Sequence, residues 1–184
     1  MEQGLPKYSK DVIPMSMDYV SAFPIAFIFL NVAEAVERKN FIEMTLLIVF
    51  MLTADLTTLG IKRVSRYAPK EFGFLLDRPH GACNTDILSR NGLKPRHTPG
   101  FPSGHVTLTT VFSIYRLLRL YHSSTDLYSF IHSYPLQIVF YIGLIVLMGF
   151  ARWYKRCHNI YQIIGGFIVG LIFAIVLDKI IQYF

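Results

Sequence analysis

Pro99-Gly100-Phe101-Pro102-Ser103-Gly104-His105 is the stretch on which the reading of this chain turns. Its prolines and glycines make a stiff turn, and the apolar run through Val106, Leu108, Val111, Phe112 and Ile114 makes that turn the start of a helix, at Ser103 or Gly104. Ser103 then stands near the N-cap, and the first-turn backbone N–H groups lie beside His105. Such a helix start is a seat for an anion. Alone, the seven residues would equally serve as a connector with a capping serine. What tips the reading is their basic company: Arg78-Pro79-His80 upstream, and Arg152-Trp153-Tyr154-Lys155-Arg156-Cys157-His158 downstream.

The surroundings are membrane-like. Of 184 residues, 53% are hydrophobic and only 16% charged, and the mean hydropathy is +0.41, more apolar than a typical soluble domain. Fifteen Phe and eleven Tyr suit a protein that meets lipid along its sides and headgroups at its ends. The net charge of +6 collects between apolar segments, where it meets phosphate or headgroups, and forms no basic stripe of the kind that binds nucleic acid. Cys83 and Cys157 have no metal-ligand spacing, and the sequence leaves a disulfide between them open. The first residues carry no signal-peptide pattern.

An all-α integral membrane bundle of about five spanning helices follows, as one domain over residues 1–184. Residues 1–18 read as a mostly polar arm. The expected spans are Tyr19 to Ala33, which is short, then Phe41 to Ile61, the helix after Ser103, Leu136 to Ala151, and Ile160 to Leu177. Glu34 to Asn40 reads as a charged turn and His122 to Tyr134 as a polar connection. Asp55, inside the second span, is expected to face protein in a structural role. Gly165, Gly166 and Gly170 permit close helix contact in the last span. Residues 62–101 form a polar reach on the active face, long enough to admit or cover a substrate, with Lys94, Arg96 and His97 available to attract an anion. The odd number of spans puts the two ends on opposite sides.

Following the helices back and forth brings Arg78, the Ser103–His105 turn and the Arg152–His158 turn to one membrane face. Two histidines there allow division of labour: one imidazole attacks phosphorus while the other gives a proton to the leaving oxygen and later takes one from water. Arginines and helix-terminal N–H groups hold the phosphoryl oxygens. This chemistry needs no metal or other cofactor. The sequence lacks HExxH, a Walker A loop and a carboxylate cluster.

In these blocks the chain resembles the type 2 phosphatidic acid phosphatase (PAP2) superfamily, which also holds lipid pyrophosphate phosphatases, glucose-6-phosphatase and vanadium haloperoxidases. The family pattern is Lys-x6-Arg-Pro, then Pro-Ser-Gly-His, then Ser-Arg-x5-His-x3-Asp. Here the first ends in Arg78-Pro79, the second is intact at Pro102-Ser103-Gly104-His105, and the third reads Ala151-Arg152-x5-His158-x3-Gln162. The resemblance, over roughly residues 41 to 182, implies a PAP2/haloperoxidase-like core acting on a membrane lipid phosphate or polyprenyl diphosphate. It implies His158 as nucleophile, His105 as general acid and then base, and Arg78, Arg152, Ser103 and Gly104 as phosphate ligands. The site would face the lumen or periplasm.

Three departures bear on activity. Glu71 stands at the first-block lysine position, with Lys70 one residue earlier as the candidate cation. Ala151 replaces the third-block serine. Gln162 replaces the aspartate that orients the nucleophile, and an amide holds a tautomer without stabilising an imidazolium as a carboxylate does. Asp77, Asp86 and Glu71 are the carboxylates that would supply the charge instead. The alternative is a weak or inactive PAP2-like protein that binds lipid phosphate.

Overall fold

The structure, a computed structural model, describes residues 17, 19–20, 23–38, 41–79 and 99–183, and these are helical or lie in turns. The elements are α1 (Phe23–Arg38), α2 (Phe41–Ser65), a 3-10 turn (Lys70–Phe72), α3 (Gly73–Leu76), α4 (Gly104–His122), α5 (Leu127–Ser133), α6 (Pro135–Tyr154) and α7 (Ile160–Ile181). Three of them, α2, α6 and α7, are long and apolar enough to cross a membrane. Their exposed faces are aliphatic and aromatic: Leu52 and Leu56 on α2, Val139 and Val146 on α6, Ile168 and Ile172 on α7. Side chains of that kind stay outside a fold when the solvent is lipid. The protein is a multi-pass integral membrane protein.

The least apolar of the long helices sits at the centre. α4 packs against α7, α6, α2 and α1 and buries Thr107, Thr109, Thr110 and Ser113 together with Val106, Val111, Phe112 and Tyr115. Its hydroxyls are thereby kept from hydrocarbon, and Thr107 Oγ1 reaches both Ser103 O (3.0 Å) and Gly166 O (3.1 Å). The aromatic core continues outward from Phe112, which stacks on Phe27 of α1 with ring centroids 4.3 Å apart. At the end of α4, Glu43 of α2 accepts from Tyr115 and pairs with Arg119 at 3.1 Å, while His122 Nε2 lies 2.9 Å from Asp178 of α7. α2 therefore runs antiparallel to α4 and α7 parallel to it. The C-terminus of α2 and the N-termini of α4 and α7 meet at the other end.

Several boundaries differ from the sequence expectation, for one recurrent reason: charged residues continue the helices instead of forming turns. α1 is Phe23–Arg38, with Pro24 tolerated in the first turn, and Glu34, Glu37 and Arg38 complete the helix. α2 runs on to Ser65, its last turn carrying Lys62 and Arg63, which suit the negative end of the helix dipole. α6 extends to Tyr154, so Arg152 is helical, and α7 extends to Ile181. The 122–134 connection holds α5, capped by Asp126, whose carboxylate accepts from Ser129 N at 2.8 Å. Within the 62–101 reach, Cys83, Asp86, Lys94, Arg96 and His97 lie outside the described residues.

α7 approaches α4 through its glycines. A β-carbon at Gly170 would lie 2.6 Å from Thr107 O and 2.6 Å from Thr110 Cβ, and one at Gly166 would lie 2.6 Å from Ser103 O. Gly60 on α2 has nothing within 4 Å. Gly170→Ala is expected to destabilise the protein by about 1–3 kcal/mol, because backbone must move to admit it. Gly60→Ala should leave stability unchanged or raise it by up to about 1 kcal/mol. Thermal unfolding in detergent separates the two.

Candidate active site

The site is built where α6 hands over to α7. α6 closes with Arg156 N donating to Trp153 O (2.9 Å) and Cys157 N to Arg152 O (3.0 Å), the double bond of a Schellman turn. The residue this turn places in the left-handed region is usually glycine, but here it is Arg156, at φ 52°. A side chain there costs about 1–2 kcal/mol. The turn delivers His158 to the start of α7, where Asn159 is the N-cap. Asn159 Oδ1 accepts Gln162 N (3.0 Å), and Gln162 Oε1 accepts Asn159 N (3.3 Å), a capping box spanning the histidine's neighbour.

Gln162 is wholly buried and uses both ends of its amide. Its Nε2 donates to Asp77 O at 2.8 Å and to Leu75 O and Leu76 O at 3.3 Å each, satisfying carbonyls that the short α3 leaves without helical partners. Flipping the amide would set oxygen against three oxygens. Its Oε1 therefore faces His158 Nδ1, 3.1 Å away. A carbonyl oxygen cannot donate, so Nδ1 carries the proton and Nε2 keeps the lone pair. The tautomer of His158 is thus set by the C-terminus of α3. Gly100 completes the arrangement: its N donates to Leu76 O (2.6 Å), and a β-carbon on it would collide with the Gln162 amide.

Cations surround this imidazole. Arg152 is 1% exposed and His158 2% exposed. Arg78 Nη1 donates to Cys157 O at 3.4 Å, which holds it to the same turn. Burial, above all, pushes the His158 pKa well below the ordinary imidazole value, and the charges of Arg152, Arg78 and Lys62 push it further, against a smaller opposing effect of the Gln162 bond. The ring is neutral at physiological pH. A cavity of about 490 Å³ beside it is lined by Pro79, Trp153, Arg156, His158, Asn159 and Ile160.

Ser103 arrives from the opposite wall. Its N donates to Gln162 O at 2.9 Å, tying the 99–103 turn to α7. Ser103 is the N-cap of α4, yet its hydroxyl makes no capping bond; Oγ is buried with no hydrogen-bond partner. Gly104 opens α4, and His105 follows it half-buried in the first turn. Ala151 is buried beside Val106, Met148 and Val20, so methyl packing occupies the place where the family pattern has a serine. Asp77 contributes its backbone carbonyl while its side chain is exposed, and Glu71 is exposed. Lys70 opens the 3-10 turn, and its side chain lies outside the described set. Among the described residues no three His, Cys, Asp or Glu side chains gather to hold a metal ion.

Three contributors escaped the sequence reading. The Asn159-x-x-Gln162 capping box is written in the sequence and was legible there. Gly100 and Lys62 gain their roles only from the packing of the 99–103 turn and of α2. The carbonyl cage yields a test: Gln162→Glu keeps the shape but aims an acceptor at Leu75, Leu76 and Asp77. It is expected to destabilise the protein by about 1–3 kcal/mol, measured by thermal unfolding. Gln162→Asp, which restores the family residue, should also fail to improve on the wild type, since it abandons the same carbonyls.

The sequence matches the PAP2 superfamily over residues 43–184. No match was found among curated protein sequences. The crystal structure of the first transmembrane PAP2 type phosphatidylglycerolphosphate phosphatase from Bacillus subtilis is similar in fold, with a TM-score of 0.68 at 16% identity, over 96% of this chain and 80% of that one. With the family's pattern covering most of its length, from α2 to the end of α7, the chain belongs to the PAP2 superfamily.

Proposed function

We propose that this protein hydrolyses a membrane lipid phosphate or diphosphate through a phosphohistidine. It works as a single domain whose bundle crosses the bilayer five times and opens its site to the lumen or periplasm. The observation that carries the reading is the bond from His158 Nδ1 to an amide held by three carbonyls, which leaves Nε2 as a nucleophile with its lone pair available. Nε2 attacks phosphorus, the phosphorus–oxygen bond to the lipid breaks, and His105 gives its proton to the departing oxygen. His105 then takes a proton from water, the water oxygen attacks phosphorus, and the phosphorus–nitrogen bond breaks to free phosphate and His158. Arg78, Arg152, the Ser103 hydroxyl, the Gly104 N–H and Lys70 bind the phosphoryl oxygens. Gln162 orients the nucleophile. No metal takes part.

The lipid tail stays among the exposed aliphatic faces while the headgroup enters the cavity beside His158. Phosphatidate, polyprenyl diphosphate and phosphatidylglycerol phosphate, the last named for the Bacillus subtilis structure, are the substrates to try. Purified protein should release phosphate from at least one of them in the presence of EDTA, acid quenching should trap phosphate on His158, and His158→Ala should lose at least about 10³-fold in rate. Gln162 favours one competing reading, a lipid-phosphate-binding protein with little turnover. Binding of these lipids by folded protein without phosphate release, in wild type and Gln162→Asp alike, would establish that reading instead.

The depressed pKa of His158 fixes the sign of two pH effects. As pH falls below about 6.5 the unfolded chain takes up a proton that the folded site refuses, so this group's contribution to stability is present above that pH and is lost below it. For the same reason the nucleophile remains neutral in mild acid. The acid limb of kcat/KM should therefore be centred below the ordinary imidazole value of about 6.5, and a limb centred at or above that value would contradict the assignment.

A further inference from the structure

We propose that Lys62 supplies a cation to the substrate phosphate, reaching from the last turn of α2 to the anion seat at the start of α4. This rests on the phosphatase reading and adds a ligand that the motif blocks do not contain. Leu47, Met51, Ala54 and Thr58 are the buried face of α2, and the next place along that face is Lys62. The helix thereby sends a lysine along its packed side to the end where α4 begins. A β-carbon at Gly104 would lie 3.9 Å from Lys62 Nζ, 3.5 Å from Thr58 Oγ1 and 3.5 Å from Asp55 Oδ1. Gly104 is the residue between the buried Ser103 hydroxyl and His105, so the ammonium stands beside the first turn of α4, whose N–H groups would hold the phosphoryl oxygens. It is also close enough to His158 for its charge to be felt there. Asp55 faces the same glycine, and a carboxylate near a bound anion needs a neighbouring cation.

Glu71, at the first-block lysine position, is exposed, and Lys62 comes from the preceding helix instead. The lysine's point charge is suited to an oxygen whose direction changes as the phosphoryl group moves from lipid to imidazole.

Activity and labelling separate this proposal from the reading on which it rests. If wild type releases no phosphate from any lipid, the phosphatase reading fails by itself. Given turnover, Lys62→Met should lower kcat/KM by roughly 10- to 100-fold, Lys62→Arg should recover much of it, and Arg63→Met, on the exposed side of the same turn, should match the wild type. Amine labelling of the wild-type protein should show Lys62 protected by inorganic phosphate, a readout that needs no turnover and no variant. The double variant Asp55→Asn with Lys62→Met should remain as impaired as Lys62→Met. Recovery in the double variant would show that Lys62 only neutralises Asp55 and would overturn the proposal. So would a folded Lys62→Met within about twofold of wild type, or labelling of Lys62 indifferent to phosphate.

Discussion

The amide of Gln162 is the interaction on which the site depends. Buried carbonyls must be satisfied, and the short α3 ends with three of them pointing inward at the same spot. An amide can donate there and accept on its other side, whereas a carboxylate can only accept. The same residue takes Ser103 N on its backbone carbonyl, closes the capping box of α7 with Asn159 and leaves room only for glycine at position 100. The end of α3, the 99–103 turn and the start of α7 are thus held in register by one side chain and its peptide. Replacing the family's aspartate with glutamine is here part of how α3 is docked, because the carbonyls that hold Nε2 belong to the segment that carries Arg78.

The bundle around this hub resolves a conflict between solubility in lipid and chemistry on phosphate. A phosphate site needs helix N-termini, hydroxyls and cations, all costly against hydrocarbon. The fold places the helix rich in hydroxyls, α4, inside a ring of other helices and lets glycines of α7 close the gap. With α4 and α7 parallel, two positive dipole ends point to the same face. Their opposite ends carry the His122–Asp178 pair, where Gln182 Nε2 also donates to Asp178 Oδ2 at 2.8 Å, and the Glu43–Tyr115–Arg119 group. Polar side chains fix both ends of the bundle, and packing fixes its middle.

Much of this was legible in the sequence because the relevant signals are local. The turn at Pro102–His105, the apolar runs and the third block each declare themselves within a few residues. Helix ends are less legible where charged residues continue the helix, as at Lys62 and Arg152, since charge alone does not tell a last turn from a loop. The idle hydroxyl of Ser103 could not be foreseen either, because local pattern favours a capping bond that Ser103 does not make. Least legible was the cage around Gln162. It is made of backbone carbonyls far away in sequence, and carbonyls leave no signature in side-chain pattern.

In the proposed mechanism, the neutral partner and the surrounding cations act together on one ring. Arg152, Arg78 and Lys62 oppose an imidazolium that carries a bare proton, and Gln162 gives it no countercharge. Phosphorylation of Nε2 also makes the ring cationic, but it brings negative phosphoryl oxygens to the very cations that repel the proton. The arrangement therefore discriminates between two electrophiles at the same nitrogen. It disfavours the proton and favours phosphorus. An aspartate would stabilise both products alike, raising the affinity for the proton together with that for the phosphoryl group. The amide trades some stabilisation of the intermediate for a nucleophile that stays unprotonated, and a phosphorylated ring without a carboxylate partner is also the better leaving group when water attacks.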